Sequence, residues 1–377
     1  MRVYYVGFFD FQDSLVQRKY IVSATNKMEY IAGVVNSLGY SSEIVSLSLS
    51  NKKGFAFHRA RRVEKEGICA LFFPTVDFPF YISSIKNAWR CLCVLFWGLF
   101  HLRREDVVLS YHTTSKTSNV LLLLRRLIGY RLLLEVEEVY SDVANVSLRV
   151  RKREFNAFSN CDGFIFSTEL LEEKLNSHHK PYVIIYGTYK VAKEEQSPKP
   201  DDVIHVIYAG TFDQRKGGAS AATAARYLPK NYKVHICGFG KPAEEEFMKQ
   251  LVHQLQVDGC NIQYDGLLKG ASYIGLLQKC SIGLSTQDPS AKFNNTSFPS
   301  KILSYLANGL SVVSIRLDAV ERSKIGKNVH YYDVQTPEAI AESIMSVEPN
   351  QSTHNRALIS SLDISFREEL DRLIKGE

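Results

Sequence analysis

Residues Asn295 to Ser314 read N-T-S-F-P-S-K-I-L-S-Y-L-A-N-G-L-S-V-V-S. The stretch reads as a polar loop, a helix and a strand. Pro299 suits the first helical turn, where its missing N–H costs nothing. Ile302, Leu303, Leu306 and Ala307 recur at helical spacing, and Gly309 sits where a left-handed cap ends the helix. Val312 and Val313 open a short buried strand. A helix beginning at Thr296-Ser297 would offer free N–H groups and hydroxyls to an anion, with Lys301 and Ser304 one turn further on.

Two similar units precede it. Val206 to Ala209 is an apolar strand that enters G-T-F-D-Q-R-K-G-G, Gly210 to Gly218, followed by an Ala-rich helix to Leu228. Arg215 and Lys216 sit just before that helix, where cations oppose its dipole unless an anion intervenes. Val234 to Cys237 then enters Gly238-Phe239-Gly240 and a helix from Ala243 to Gln254. A single G-x-G after a strand also serves ordinary turns; three successive phosphate-suited loops carry more weight.

This order, with N-I-Q-Y-D-G-L-L (Asn261 to Leu268) and C-S-I-G-L-S (Cys280 to Ser285), resembles the nucleotide-sugar half of GT-B glycosyltransferases. The nearest branch is family 4, the group 1 enzymes of bacterial capsule, exopolysaccharide and O-antigen synthesis. The resemblance is specific over Ile204 to Ser314 and collinear over the N-terminal half. It implies an α/β protein with two Rossmann-like domains facing a cleft, and a nucleoside-diphosphate sugar as donor substrate. It also implies retention of configuration and a metal-free reaction helped by stabilising the leaving diphosphate, with no protein nucleophile. Lys216 and Arg215 would meet the diphosphate. Gly210, Thr211, Gly238, Gly240, Gly266, Leu267, Thr296, Ser297, Lys301 and Ser304 would surround the nucleotide sugar. Two departures stand out. The family's Gly-Arg is Gly210-Thr211 here, and its two glutamates eight positions apart are Thr296 and Ser304. Neither hydroxyl replaces a carboxylate as a charged acceptor.

The N-terminal half alternates strands (Arg2–Val6, Glu43–Leu47, Val107–Ser110, Arg131–Val136, Gly163–Ser167, Tyr182–Ile185) with helices (Lys27–Leu38, Tyr81–His101, Thr117–Ile128, Leu148–Ser159, Glu169–Asn176). Such alternation predicts a parallel sheet covered on both faces. The expected domains are 1–190 on the acceptor side and 203–347 on the nucleotide-sugar side. The segment 348–377 is expected to end in a helix, about Ile364–Ile374, that crosses back to the first domain. The charged, proline-containing run from Gly187 to Asp202 reads as a linker.

Ligands of open α/β sheets bind beyond the carboxyl ends of strands. That places Gly7 to Asp10, and His112, on the acceptor side. In L-L-L-E-V-E-E-V-Y, Glu135, Glu137 and Glu138 crowd the end of a buried strand, which is costly without a ligand or a cation; salt bridges to local arginines are the alternative. By resemblance Glu137, then Glu138, faces the donor sugar.

Composition bounds the rest. The 377 residues suffice for two ordinary domains. Seven cysteines with no C-x-x-C pair argue against a zinc site or a disulfide framework. The opening residues read as a strand rather than a secretory leader, so a cytoplasmic location is expected, at the inner face of the cell membrane. Met1 to Lys190 carries 25 Lys and Arg against 18 Asp and Glu; the remainder carries 21 against 22. The basic clusters Arg59–Lys65, Arg103-Arg104, Arg125-Arg126 and Arg149–Arg153 suggest weak peripheral contact with anionic lipid and a lipid-linked saccharide acceptor. No nucleic-acid motif accompanies them. The apolar run Ala88 to Phe100 is too short to span a bilayer and reads first as a buried helix. Two rival functions remain: a catalytically degenerate GT-B scaffold that partners an active transferase, and a nucleotide-sugar epimerase on the same architecture.

Overall fold

The structure, a computed structural model, describes residues 1–11, 16, 18, 20–50, 54–77, 83–112, 115–192, 202–291, 294, 296–348 and 352–377. The chain divides into two compact units, Met1–Ile185 with Phe366–Glu377, and Tyr186–Ser365. Most of the expected linker, 193–201, lies outside the described residues, as do Asn295 and 349–351.

The first unit contains β1 (Arg2–Gly7), β2 (Ser41–Ser46), β3 (Ala56–His58), β4 (Arg61–Lys65), β5 (Ile68–Phe72), β6 (Thr75–Asp77), β7 (Val107–Tyr111), β8 (Arg131–Val136), β9 (Gly163–Phe166) and β10 (Tyr182–Ile184). Its main sheet runs β10-β9-β8-β7-β1-β2-β5-β4 and is parallel except for β4, which pairs antiparallel with β5. Strand order reverses at β1, between β2 and β7, so the ends of β1 and β7 face the crevice where such sheets take ligands. The C-terminal residues of helix Ser352–Lys375 complete this unit. Phe366 stacks on Tyr30 at 6.0 Å, and Arg131 donates to the Leu373 and Ile374 carbonyls.

The second unit contains β11 (Ile204–Thr211), β12 (Tyr232–Phe239), β13 (Ile262–Gly266), β14 (Ile282–Ser285), β15 (Ser311–Ile315) and β16 (Val329–Tyr332). Its order β13-β12-β11-β14-β15-β16, all parallel, is the dinucleotide-binding order with its reversal between β11 and β14. β14 and β15 are buried at every residue, as expected of parallel strands covered by helices on both faces. The fold is α/β, of the GT-B class.

Three expectations change. The sequence reading contains no hairpin at 61–72, yet Arg61–Lys65 turns through Glu66 and Gly67, both at positive φ, into β5. This is the geometry of a two-residue hairpin turn. Second, the helix expected at Thr296-Ser297 starts only at Lys301, because Pro299 and Ser300 form the turn that leads into it. Third, helix Ser83–His101 is not wholly buried: Leu92, Phe96 and Phe100 are 47, 57 and 70 % exposed. Among the described residues no helix is long and apolar enough to cross a membrane.

Candidate functional site

β11 ends at Gly210-Thr211, at the reversal point of the second sheet. A 3-10 turn, Gln214–Lys216, leads through Gly217 into helix Gly218–Thr223. Gly217 has φ +74, and a Cβ there would lie 1.5 Å from the Thr286 carbonyl oxygen, so no other residue fits. The Thr286 hydroxyl donates to the Gly217 carbonyl at 2.8 Å, fixing the loop against the end of β14. Gly238 faces Gly210 across β11 and β12, and a Cβ on it would fall 1.8 Å from the Gly210 carbonyl. The two glycines thus let the loop ends approach each other.

Buried tyrosines hold this corner. Tyr208 donates to the Thr211 carbonyl at 2.8 Å and lies 3.2 Å from that of Lys216. Tyr305 accepts from the Ala209 N–H at 2.8 Å, pinning helix Lys301–Ala307 to β11. That anchor aims Lys301 at the end of β11. Its Nζ is buried without a hydrogen-bond partner, 4.2 Å from the centre of the Tyr208 ring. It would lie 3.3 Å from a Cβ on Gly210. Burial, then the nearby Lys216 charge, pushes the Lys301 amine down to about 7. The Lys301 amine thus lies at Gly210 within electrostatic reach of Lys216, and an anion bound there would favour its charged form.

Arg215 behaves differently. It is exposed, and its guanidinium grips Asp213, with Nε to Oδ1 at 2.9 Å. The Arg215 hydrogen bond holds Asp213 down at about 2. Arg215 thus has a counter-ion two residues away. Gly240 is also committed: its N–H donates to Glu245 at 3.1 Å, and that of Lys241 to Glu244 at 2.8 Å. The glutamates of the helix that follows thus take up the N–H groups of the two residues just before it. Gly266 ends β13, one strand beyond Gly238 from β11, and Leu267, half exposed, follows it. Thr296 is buried and Ser297 half-buried in the loop before the short helix. Ser304 is half-buried and hydrogen-bonded to the Tyr273 side chain.

The first unit brings Gly7, His112 and the β8 glutamates to the neighbouring carboxyl ends of β1, β7 and β8, where the His112 backbone N–H donates to the Glu135 carbonyl at 2.8 Å. Gly7 is closely packed, since a Cβ would meet Met28 at 2.8 Å and Tyr111 at 3.0 Å. Asp10 is buried and acts electrostatically on Arg18, whose guanidinium lies over Phe72. His112 is buried between Tyr140 and Phe158, its Nε2 3.5 Å from Glu154. Burial pushes it down to about 4, so the ring is neutral at neutral pH and forms no ion pair.

The glutamates of β8 meet a cation that the sequence reading did not single out. Lys27, buried on helix Val22–Ser37, pairs with Glu137, lies 3.4 Å from Glu135 and donates to the Ile185 carbonyl at 3.1 Å. Glu135 is fully buried, and burial together with Glu137 holds its carboxyl well above the usual range. Glu138 is half-buried beside them. Local arginines are not the partners of Glu135 and Glu137. Among the described residues no group of three or more His, Cys, Asp and Glu side chains is arranged to hold a metal ion.

No protein-family model matches the chain. No curated protein sequence matches it. Solved structures do. A trehalose-6-phosphate protein from E. coli bound with UDP-2-fluoro glucose is 10 % identical with a TM-score of 0.67, over 100 % of this chain and 99 % of that one. Sucrose-phosphate synthase from Thermosynechococcus elongatus is 14 % identical with a TM-score of 0.68, over 100 % and 98 %. An α,α-trehalose-phosphate synthase (UDP-forming) from Burkholderia xenovorans, in complex with glucose-6-phosphate, is 10 % identical with a TM-score of 0.62, over the full length of both chains. At such identities the likeness establishes the GT-B fold and leaves the chemistry to the residues.

Proposed function

We propose that the protein is a glycosyltransferase that moves a sugar from a nucleoside diphosphate to an acceptor hydroxyl. The observation that carries this reading is the buried Lys301 amine at Gly210, at the carboxyl end of β11, within electrostatic reach of Lys216. Such a site suits the charge that develops on a leaving diphosphate. The solved structures of like fold support it: one of those proteins is bound with UDP-2-fluoro glucose and another is in complex with glucose-6-phosphate. As a finer reading, the protein belongs with the family 4 enzymes of surface-polysaccharide synthesis. It retains anomeric configuration, works at the cytoplasmic face of the cell membrane and takes a lipid-linked saccharide as acceptor. In this reading Ser304, beside Tyr273, lies near the ribose, and Glu137 and Glu138 lie on the sugar side.

A second reading is favoured by specific observations. Arg215 is neutralised by Asp213, the Gly240 amide is taken by Glu245, and hydroxyls stand at Thr296 and Ser304. A degenerate scaffold would show all of these. Release of nucleoside diphosphate from a panel of nucleotide sugars separates the two. Release with any donor, lost in Lys216→Ala, supports the transferase. Calorimetric binding without release supports the scaffold.

A further inference from the structure

Helix Ser83–His101 is apolar on two faces. One is spent on the core: Val94 and Trp97 are buried, and a Cβ on Gly98 would approach Leu124 to 2.4 Å. The other points outward. Ile85, Trp89, Leu92, Phe96 and Phe100 recur at helical spacing and are between 37 and 70 % exposed. Beside this stripe lies a groove of about 590 Å³. Leu71, Phe73 and Pro74 line it together with Trp89, Leu92 and Phe96; Arg61 and Arg62 border the same space. The Trp89 ring N–H is tied to the Pro74 carbonyl at 2.7 Å, which joins the two walls. Single exposed leucines are ordinary, whereas a continuous stripe with a groove beside it marks an interaction surface.

Basic side chains predominate around this face without being alone there. The helix carries no acidic residue; its Lys86 and Arg90 are tied to the Ser50 and Leu47 carbonyls, the exposed Arg103 and Arg104 follow it ahead of Glu105, and of Arg61 and Arg62 at the groove the latter pairs with Glu43. Over residues 1–190 Lys and Arg outnumber Asp and Glu by 25 to 18. We infer that this face docks on an anionic phospholipid surface, with one acyl chain seated in the groove and the arginines among the headgroups. The groove is of ligand-pocket size. A helix with an apolar outer stripe and basic flanks lies in the plane of a membrane interface, and tryptophan favours that level. The inference rests on the proposed function only for its setting, a membrane-borne acceptor; lipid binding itself is measurable without any donor.

The chain's two tryptophans, Trp89 and Trp97, both line the groove, so their fluorescence reports on it. The full chain is mixed with phosphatidylcholine vesicles, with and without phosphatidylglycerol, some carrying bromine on the acyl chains. The expected result is quenching by brominated anionic vesicles and binding about tenfold or more tighter than to neutral ones at low salt. Arg103→Gln/Arg104→Gln should weaken binding several-fold. Leu92→Asp/Phe96→Asp, at exposed positions, should abolish quenching with little change in melting temperature. If that variant misfolds, quenching of the unaltered chain decides alone. The inference is overturned by absence of binding to any vesicle, or by co-sedimentation without quenching. It is also overturned by a dimer that Leu92→Asp/Phe96→Asp dissociates, which would assign the face to a second copy. Nucleotide release, assayed without lipid, tests the transferase reading separately.

Discussion

The ends of β8 and β11 both bury charged side chains at the carboxyl edge of a parallel sheet, yet they are built oppositely. At β8, Glu135 and Glu137 share a counter-ion, Lys27, within the same unit, although neither Glu135 oxygen has a hydrogen-bond partner. At β11, the Lys301 amine is buried near a second lysine, with an aromatic face and no hydrogen-bond partner against it. Like charges brought together in a poorly solvated corner are unfavourable. A cluster neutralised internally is explained by folding; one that is not invites a ligand of opposite sign. On that criterion the proposed anion site belongs to the second unit, while Lys27 with Glu135 and Glu137 ties helix Val22–Ser37 to the end of β8.

The sharpest way to break this contrast is Lys27→Met. Removing one partner strands two carboxylates around a buried site, which typically costs about 3–5 kcal/mol. Denaturant unfolding at neutral pH measures it. The sign of the pH dependence is set by Glu135. Its folded-state pKa is raised, so its contribution is present below the unfolded value and is lost as pH rises through the folded one. Without Lys27 that loss should steepen. A cost below about 1 kcal/mol would mean that the acid cluster is not built around Lys27, and the two strand ends would then be alike.

Lys216→Ala addresses the other side. Losing one charged donor at a developing anion costs about 3 kcal/mol in the transition state, on the order of a hundredfold in rate. Stability should move by less than about 1.5 kcal/mol, Lys216 being only half-buried. Steady-state turnover at saturating donor is the measurement, and unchanged turnover would remove this loop from the site.

Lys301→Met yields a smaller effect, read best against pH. Because the amine sits near 7 in the folded protein and near 10.4 when unfolded, the unfolded chain binds more protons between those values. This group therefore makes stability rise with pH across that window. Anion binding runs the other way: above pH 7 the site must take up a proton, so affinity for inorganic pyrophosphate should fall by at most about tenfold per pH unit. In Lys301→Met both slopes should flatten, and stability near neutral pH should rise by about 1 kcal/mol or more, as when a buried charge is replaced by an apolar side chain. Titration calorimetry and melting from pH 6 to about 9 follow both.

Much of this fold is written locally. The strand–glycine loop–helix units of the second half place Gly210, Lys216, Gly238 and Lys301 because each loop follows directly from its strand. The parts that escape the sequence are settled at a distance. Lys27 has no local signal; its partner is 110 residues away. Arg61–Lys65 reads as a basic cluster because an edge strand needs no apolar alternation on its open side. The apolar run Ala88–Phe100 is hydrophobic around its circumference, so hydropathy cannot say which face is covered. The helix start near Thr296 is displaced because the turn at Pro299 and Ser300 feeds the helix only from Lys301, with Tyr305 fixing its seat against β11.

The finest discrimination within the cation site is between Lys216 and Arg215, neighbours in sequence with different surroundings. Arg215 and Asp213 form an exposed pair, so Asp213→Asn should cost under about 1 kcal/mol of stability. The Asp213 carboxyl is held at about 2 by Arg215. Its stabilising share is therefore present above the unfolded value near 3.9 and disappears as pH falls through about 2; the variant should lose only that acid-side dependence. Asparagine keeps an oxygen for the Arg215 N–H, which Asp213 accepts at 3.0 Å, so the turn is retained while the guanidinium is released. If Arg215 can swing toward Gly210, pyrophosphate affinity should rise a few-fold, and its salt dependence should steepen as a further cation joins the anion. Unchanged affinity would leave the anion to Lys216 and Lys301 alone, and Asp213 would then act as the device that keeps a third positive charge out of the site.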